Sequence, residues 1–140
     1  MSINAFNMNN SHLTEDELAN KVIGIAIRVH SALGPGLLEN AYKQMLARKL
    51  VNEGFDIEVE KTLPLEMDGI KIEAAYKIDI LVENKLVLEL KSVEAINNLH
   101  LAQTINYLKL GNFKLGLLIN FNLTRLKFGI QRVINSKTRT

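Results

Sequence analysis

One short apolar stretch, residues 85–94 (KLVLELKSVE), carries charged residues where a buried strand is expected. Glu89 and Lys91 stand two residues apart among leucines and valines. An ionised side chain that is buried without a partner costs roughly 3–5 kcal/mol. These two charges therefore need each other or a further charged group.

The preceding stretch, residues 76–82 (YKIDILV), supplies a second carboxylate, Asp79. The two stretches form a predicted antiparallel hairpin, and a three-residue loop centred on Asn84 places Asp79 directly opposite Glu89. A two-residue loop would put the two acids on opposite faces of the sheet. Directly opposed like charges repel each other, so the acid pair needs a proton, a cation or a metal ion.

Side chains alternate between the two faces of a strand, and this divides the hairpin into a charged and an apolar face. Asp79, Glu89 and Lys91 share the charged face, on which Lys77 lies opposite Lys91. The expected apolar face consists of Ile78, Ile80, Leu88 and Leu90.

Two interpretations of the charged face remain open. Lys91 can neutralise one carboxylate, which gives a buried Asp–Lys–Glu ion network without chemistry. Alternatively, both carboxylates bind a divalent ion together with a backbone carbonyl and water, a ligand set typical of Mg²⁺. Lys91 would then be available to orient or deprotonate a water molecule, or to stabilise charge on a phosphate.

Helices before this hairpin are predicted from periodicity and from capping residues. Thr14 and Glu17 have the spacing of a capping box and start a helix that runs to about Leu33. The sequence GPG at 34–36 ends it. A second helix is expected over about 37–52; its inward residues would be Leu38, Ala41, Met45 and Leu46.

The rest of the chain alternates between strand and helix patterns. Short antiparallel strands are expected on both sides of the turn at 68–69, followed by the 76–93 hairpin. A helix over about 97–110 and two strands, 114–121 and 125–133, complete one α/β domain.

Length and composition agree with one globular domain over residues 14–140 that follows a flexible tail over residues 1–13. The chain has 140 residues, of which 47% are hydrophobic and 23% charged, and it has no cysteine. Disulfides and thiolate metal sites are thereby excluded, which suits a cytoplasmic protein. We expect no signal peptide and no membrane span.

Charge gives little information about partners, because the net charge is only +2. The last sixteen residues, 125–140, hold five Lys or Arg and no acid. This bias would suit contact with phosphates, although a solvated basic tail is the simpler interpretation.

Several motifs together resemble the GxxExxY protein family of the PD-(D/E)XK nuclease-like superfamily. The naming motif is residues 36–42 (GLLENAY), preceded by His30. The superfamily's acid and E-x-K signature is matched by Asp79 and residues 89–91 (ELK), in segments that agree in order from about residue 14 to 133. A further Q-x-x-x-Y motif is matched by Gln103 and Tyr107.

The resemblance implies an α/β (α+β) fold of the restriction-endonuclease-like kind, with a mixed central sheet flanked by helices. It also implies a nuclease that uses Mg²⁺ or Mn²⁺ on DNA or RNA. The expected metal ligands are Asp79 and Glu89, with Glu39 from the second helix and the Leu90 carbonyl. Lys91 would be the catalytic lysine beside these acids.

An outer layer of residues would contact the substrate or support the site. Gln103 and Tyr107 would grip a phosphodiester, and Lys77 would approach the substrate backbone at a position where the family usually has Arg. His30 would carry protons, unless it is a helix-terminal histidine bonded to backbone carbonyls.

A different class of function also fits these residues. The fold would then be a non-catalytic nucleic-acid-binding or assembly module, in which the acids and Lys91 form a structural ion network. A homodimer that places two sites on two strands is a further alternative.

Overall fold

The computed structural model describes residues 10–136, in which helices lie on both sides of one five-stranded sheet. The elements in chain order are α1 (Glu15–Leu33), α2 (Glu39–Asn52), β1 (Ile57–Met67), β2 (Ile70–Val82), β3 (Leu86–Lys91), α3 (Asn98–Gly111), β4 (Leu115–Asn120), a 3₁₀ helix (Leu126–Gly129) and β5 (Ile130–Ile134).

The sheet is mixed, as predicted. The strand order is β1-β2-β3-β4-β5, with β3 and β4 parallel and the other neighbours antiparallel. The parallel pair needs a crossover connection, which α3 provides. This arrangement confirms the expected α+β fold with a mixed central sheet flanked by helices.

Two apolar layers hold the helices against the sheet. Residues of α1 and α2, including Val22 and Leu46, pack with Leu88 and Leu117 on one face. On the other face, Leu108 of α3 packs with side chains from β3 and β4. Strands that are covered on both faces lack a polar alternation, which explains the nearly continuous apolar runs of β3 and β4.

The local signals for α1 are confirmed. Thr14 Oγ1 accepts a hydrogen bond from the Glu17 N–H at 3.2 Å, and Glu17 Oε1 accepts one from the Thr14 N–H at 2.9 Å. The helix ends at Leu33, and the next residues include Gly34 and Gly36 with φ of 72° and 100°. Glycine is the residue that takes such dihedrals at low cost, so the GPG break follows from the backbone.

The predicted inward face of α2 is wrong at three positions. Leu38 is 82% exposed, and Ala41 and Met45 are also exposed, whereas Leu46 is buried as expected. The helix starts at Glu39, because Leu38 is still extended at φ −72° and ψ 151°. The apolar stripe consequently runs through Tyr42, Leu46, Ala47 and Leu50.

The strand predicted over 125–133 is only partly present. Its first half is the 3₁₀ helix, and β5 begins at Ile130. The Phe128 N–H bonds to the Arg125 carbonyl at 3.2 Å, which closes this tight turn. Gly129 passes so close to the Asn120 carbonyl that a Cβ there would clash with it, which explains why the chain bends at this glycine.

The expected short strands after α2 form one long hairpin. β1 and β2 pair from Ile57 opposite Val82 to Met67 opposite Ile70. The two-residue turn between them has positive φ at both Asp68 and Gly69, as expected for this dipeptide.

The expected tail, residues 1–13, falls partly outside the described residues, which begin at residue 10. Residues 10–13 are bonded to the folded part of the chain. Lys85 Nζ donates to the carbonyls of Ser11 and Leu13, each at 2.7 Å, and the Asn10 amide donates to the Gly54 carbonyl at 3.0 Å.

Tyr42, the last residue of the GLLENAY motif, is a structural residue. Its ring is fully buried and stacks on Phe121 at 4.6 Å. Its hydroxyl donates to the Gly34 carbonyl at 2.5 Å and accepts from the Leu37 N–H at 3.1 Å. Tyr42 therefore fixes the loop that leads into Glu39.

We expect Tyr42→Phe to lower the free energy of unfolding by about 1–2 kcal/mol, because two loop groups lose their partner. Tyr76→Phe is the matched control. The Tyr76 hydroxyl is buried without a hydrogen-bond partner among residues 10–136, so its removal should be neutral or stabilising. Urea unfolding of the two variants measures the difference, and equal losses would contradict this role of the Tyr42 hydroxyl.

Candidate active site

The acid pair lies where the pairing of β2 with β3 ends. The register is the predicted one, with Val82 opposite Leu86 and Ile80 opposite Leu88. Beyond this point, the strands are joined by hydrogen bonds from main-chain N–H groups to the two carboxylates. Glu89 Oε2 accepts from the Asp79 N–H at 2.9 Å, and Asp79 Oδ2 accepts from the Leu90 N–H at 2.8 Å.

These two bonds are reciprocal, because each carboxylate binds the main chain of the opposite strand. β3 meanwhile stays paired with β4 as far as Lys91 opposite Asn120. The bonds use Oε2 of Glu89 and Oδ2 of Asp79, so the second oxygen of each carboxylate is available to another partner. The hairpin thus holds two acids side by side at its open end.

The predicted division of the hairpin into two faces is wrong for Ile78. Ile80, Leu88 and Leu90 pack in the α1–α2 layer, but Ile78 packs in the α3 layer. The alternation breaks at Asp79. Opposite this break, Glu60 of β1 has a φ of 55° and is left out of the regular pairing.

Burial makes Glu89 an unusual acid. The residue is only 4% exposed. Loss of solvation, followed by the charge of Asp79, raises the pKa of Glu89 from 4.5 to about 8, although the Asp79 N–H and Lys91 lower it. In the absence of a metal cation, Glu89 therefore holds a proton at neutral pH.

The cation beside Asp79 is Lys43 of α2. Its Nζ lies 3.8 Å from Asp79 Oδ1 and 3.0 Å from Glu60 Oε2. Lys77 Nζ reaches the other oxygen of Glu60, at 3.2 Å. The hydrogen bonds from Lys43 and Lys77 lower the pKa of Glu60. The pKa of Lys43 is raised, because these acids outweigh the effect of its burial.

Lys91 stands apart from this network. Among residues 10–136, no acid forms an ion pair with Lys91 within 4.0 Å. Its charge nevertheless lowers the pKa of both Glu39 and Glu89, so its ammonium group is close to the acids. Lys91 is therefore near the acid pair without being committed to either member.

Glu39, the first residue of α2, is half-buried near the same acids. Its pKa is raised overall, because burial and the charge of Asp79 outweigh the opposite effect of Lys91, Lys43 and His100. Within residues 10–136, no three His, Cys, Asp or Glu side chains are grouped closely enough to hold a metal ion. The structure thus places Glu39 within electrostatic reach of Asp79 but not in a three-acid cluster.

The predicted pair on α3 also reaches the acids. The Tyr107 ring stacks on Tyr76 with ring centroids 4.8 Å apart. Burial raises the pKa of Tyr107, as do the charges of Glu89 and Asp79, while a hydrogen bond with Gln103 lowers it. Tyr107 is therefore within electrostatic reach of the acid pair, and Gln103 lies one turn before it on the same helix.

His30 lies in a different place. It is 5% exposed near the end of α1, and its Nε2 has no hydrogen-bond partner among the described residues. It lines a cavity with Ser31 and Arg125. The ring is 6.3 Å from that of Phe121. The expected bond from this nitrogen to a backbone carbonyl is absent.

Sequence reasoning missed three residues of this site. Lys43 had a usable signal, because it stands four residues after Glu39 on the same helical side. Glu60 had no sequence signal, because its position opposite Asp79 depends on an irregularity in the strand pairing that the sequence does not indicate. The sequence signal for His100 was weak: it stands three residues after Asn97, which is the spacing of a capping box. In the structure, His100 Nδ1 accepts a hydrogen bond from the Asn97 N–H at 3.1 Å at the start of α3.

The residues present fit a hard divalent cation. Asp79 and Glu89 are two carboxylates on neighbouring strands, and Mg²⁺ takes one or two carboxylates and keeps water molecules. Burial and the charge of Asp79 raise the pKa of Glu89, so a neighbouring positive charge would favour its ionised form. A cation between Asp79 and Glu89 would supply that charge and displace the proton.

Comparison with known proteins identifies a family for nearly the whole domain. The family model of the PD-(D/E)XK nuclease superfamily matches residues 16–133. No curated protein and no solved structure matches the chain. None of the helices in the described part of the chain is long and apolar enough to cross a membrane.

The pKa of Glu89 predicts how stability depends on pH when EDTA keeps metal away. The folded pKa of about 8 exceeds the ordinary 4.5, so the native state binds the additional proton between these values. The free energy of unfolding is therefore higher at pH 5 and falls as pH rises to 8, by at most about 1.4 kcal/mol per pH unit. Urea unfolding across this range measures the slope.

Glu89→Gln should flatten this pH dependence, because the amide does not titrate. The control is Glu66→Gln, which removes a carboxylate from an exposed position of β1 and should keep the wild-type slope. Parallel curves for wild type and Glu89→Gln would show that Glu89 ionises normally in the folded protein.

Proposed function

Because this chain belongs to the PD-(D/E)XK nuclease superfamily, we propose that it is a Mg²⁺- or Mn²⁺-dependent nuclease that hydrolyses phosphodiester bonds in DNA or RNA. The observation that carries the proposal is the reciprocal bonding of Asp79 and Glu89, in which neither Asp79 Oδ1 nor Glu89 Oε1 takes part. The GLLENAY motif supports a finer assignment to the GxxExxY family.

Asp79 and Glu89 would hold the ion, with the Leu90 carbonyl as a third ligand and Glu39 as a further ligand, directly or through water. When bound, the ion lowers the pKa of the attacking water and neutralises charge that develops on the phosphate. Glu89 must release its proton to bind, so binding becomes tighter as pH rises toward its pKa of about 8.

Lys91 is the residue of the site with the most freedom to act on substrate. Its ammonium group is close to the acids but forms no ion pair within 4.0 Å among residues 10–136. It can donate hydrogen bonds to the attacking water or to a phosphate oxygen. Lys43, whose Nζ lies 3.8 Å from Asp79 Oδ1, would instead balance the charge of that acid.

The outer residues would bind the substrate backbone. Tyr107 is held near the acids by its stack on Tyr76, and Gln103 lies one turn before it on α3. Lys77 has a largely exposed side chain at the rim of the site, paired with Glu60. Each can present a hydrogen-bond donor to a phosphodiester.

A second candidate function rests on the ion network around Lys43. Lys43, Glu60, Lys77 and Asp79 form a connected set of charges without any metal. Such a set would serve in a non-catalytic nucleic-acid-binding or assembly module, as a monomer or as a homodimer. The superfamily makes nucleic acid the partner in either case.

Metal binding separates these candidates. At a concentration tenfold above its Kd, Mg²⁺ or Mn²⁺ should stabilise the wild type by about 1.4 kcal/mol, which corresponds to a rise in Tm of roughly 3–5 °C. Asp79→Ala should abolish the shift, and Glu66→Gln should retain it. If millimolar metal leaves the wild-type Tm unchanged and Asp79→Asn raises it, the ion network is structural and the second candidate holds.

Cleavage tests the role of Lys91. With Mg²⁺ or Mn²⁺ present, the wild type should cut single- or double-stranded DNA or RNA, and Lys91→Ala should reduce kcat by about 10²-fold or more. Lys91→Ala should keep the metal-induced Tm shift, because the lysine is not a ligand. Lys109→Ala, on an exposed part of α3, is the matched control and should cut normally. Full activity in Lys91→Ala would remove this residue from the mechanism.

A further inference from the structure

A second polar cavity lies outside the acid cluster, between the end of α1 and the segment before β5. Its volume is about 410 Å³. The polar residues that line it are His30, Ser31, Thr124, Arg125 and Lys127. We propose that this cavity binds a phosphate group.

The charge of the cavity favours an anion. Arg125 and Lys127 both line it, and no Asp or Glu is among its lining residues in the described part of the chain. Neither cation forms an ion pair with an acid of residues 10–136. Lys127 Nζ lies 5.0 Å from the centroid of the Phe128 ring, which leaves its donors available. Two cations without acidic partners attract an anion.

The buried imidazole supplies an independent reason for a ligand. His30 is 95% buried, given its 5% exposure, and its Nε2 has no partner in the described part of the chain. Buried polar atoms of native proteins are nearly always hydrogen-bonded, and one without a partner costs about 1–3 kcal/mol. His30 lines the cavity, so a ligand oxygen there can satisfy this nitrogen once the ring turns toward it.

The donor set matches a phosphate better than a single carboxylate. A guanidinium, an ammonium, two hydroxyls and an imidazole can together serve three or four oxygens. Arginine binds phosphate through two parallel bonds, and each charge-assisted bond is stronger than a neutral one. A carboxylate would leave most of these donors unused.

One loop connects this cavity to the acid pair. Gly34 lines the cavity, and its carbonyl accepts from the Tyr42 hydroxyl. Three residues later, the Leu37 carbonyl accepts from Ser92 Oγ at 2.7 Å, and Ser92 directly follows Lys91. A polymer that lies over residues 34–37 can therefore present one phosphate to each site.

Whether the phosphate belongs to a nucleic acid depends on the proposed function, but the binding of phosphate does not. The test uses the full chain in EDTA, so that cleavage and metal binding play no part. Calorimetry measures binding of inorganic phosphate and of one short oligonucleotide carrying either a 5′-phosphate or a 5′-hydroxyl. The variants are Arg125→Gln/Lys127→Gln and His30→Phe.

We expect the wild type to bind phosphate and each variant to weaken binding by about tenfold or more, the effect of losing one charge-assisted bond. A preference for the 5′-phosphate identifies a terminal phosphate as the source. Equal binding of both oligonucleotides identifies an internal phosphate. Binding of inorganic phosphate alone identifies a small molecule as the source. Binding of inorganic phosphate in EDTA involves neither metal nor cleavage, so this result stays separate from the fate of the nuclease proposal.

The matched control is Lys49→Gln/Lys109→Gln, which removes two positive charges from the last turns of α2 and α3. It should bind like the wild type. An equal loss in this control would show general charge attraction and overturn the proposal, as would wild-type protein that binds none of the three probes. His30→Phe with unchanged affinity would exclude the imidazole and overturn the site as described.

Discussion

The reciprocal hydrogen bonds between the two acids and the opposite main chains are the interaction on which the site depends. In an ordinary hairpin, the Asp79 and Leu90 N–H groups would bond to carbonyls. Here they bond to the carboxylates of Glu89 and Asp79, so two like charges are held together by the same bonds that end the strand pairing. The position of the site is consequently a property of the sheet and not of a loop.

This arrangement creates an excess of negative charge that the protein compensates in three different ways. Glu89 takes a proton, Asp79 lies near the Lys43 ammonium, and Lys91 contributes at longer range. None of these is a close pair that satisfies both acids at once. The negative charge of the two acids is therefore balanced only in part by the described residues, with Lys43 as the cation paired with Asp79.

The sequence was sufficient for those features that depend on local signals. The capping box placed the start of α1, and the hairpin loop fixed Asp79 opposite Glu89, because loop length sets the register. It was insufficient wherever a backbone irregularity intervened. The extended conformation of Leu38 shifts the inward side of α2, and the positive φ of Glu60 coincides with the break that moves Ile78 to the other layer. Lys43 reaches Asp79 through the packing of α2 against the sheet, whereas its spacing from Glu39 indicates only that the two residues share a helical side.

The central position of β3 has a consequence for motion. Residues 86–88 of this strand are covered on both faces and paired on both edges, so their amides should exchange with solvent only when the whole domain opens. Glu89 and Lys91 follow on the same strand and remain paired with β4. The residues around the acid pair are held less firmly, since Gln103 is exposed on α3 and the Lys77 side chain is largely exposed. Motion is therefore expected at the periphery of the acid pair before it reaches the acids themselves.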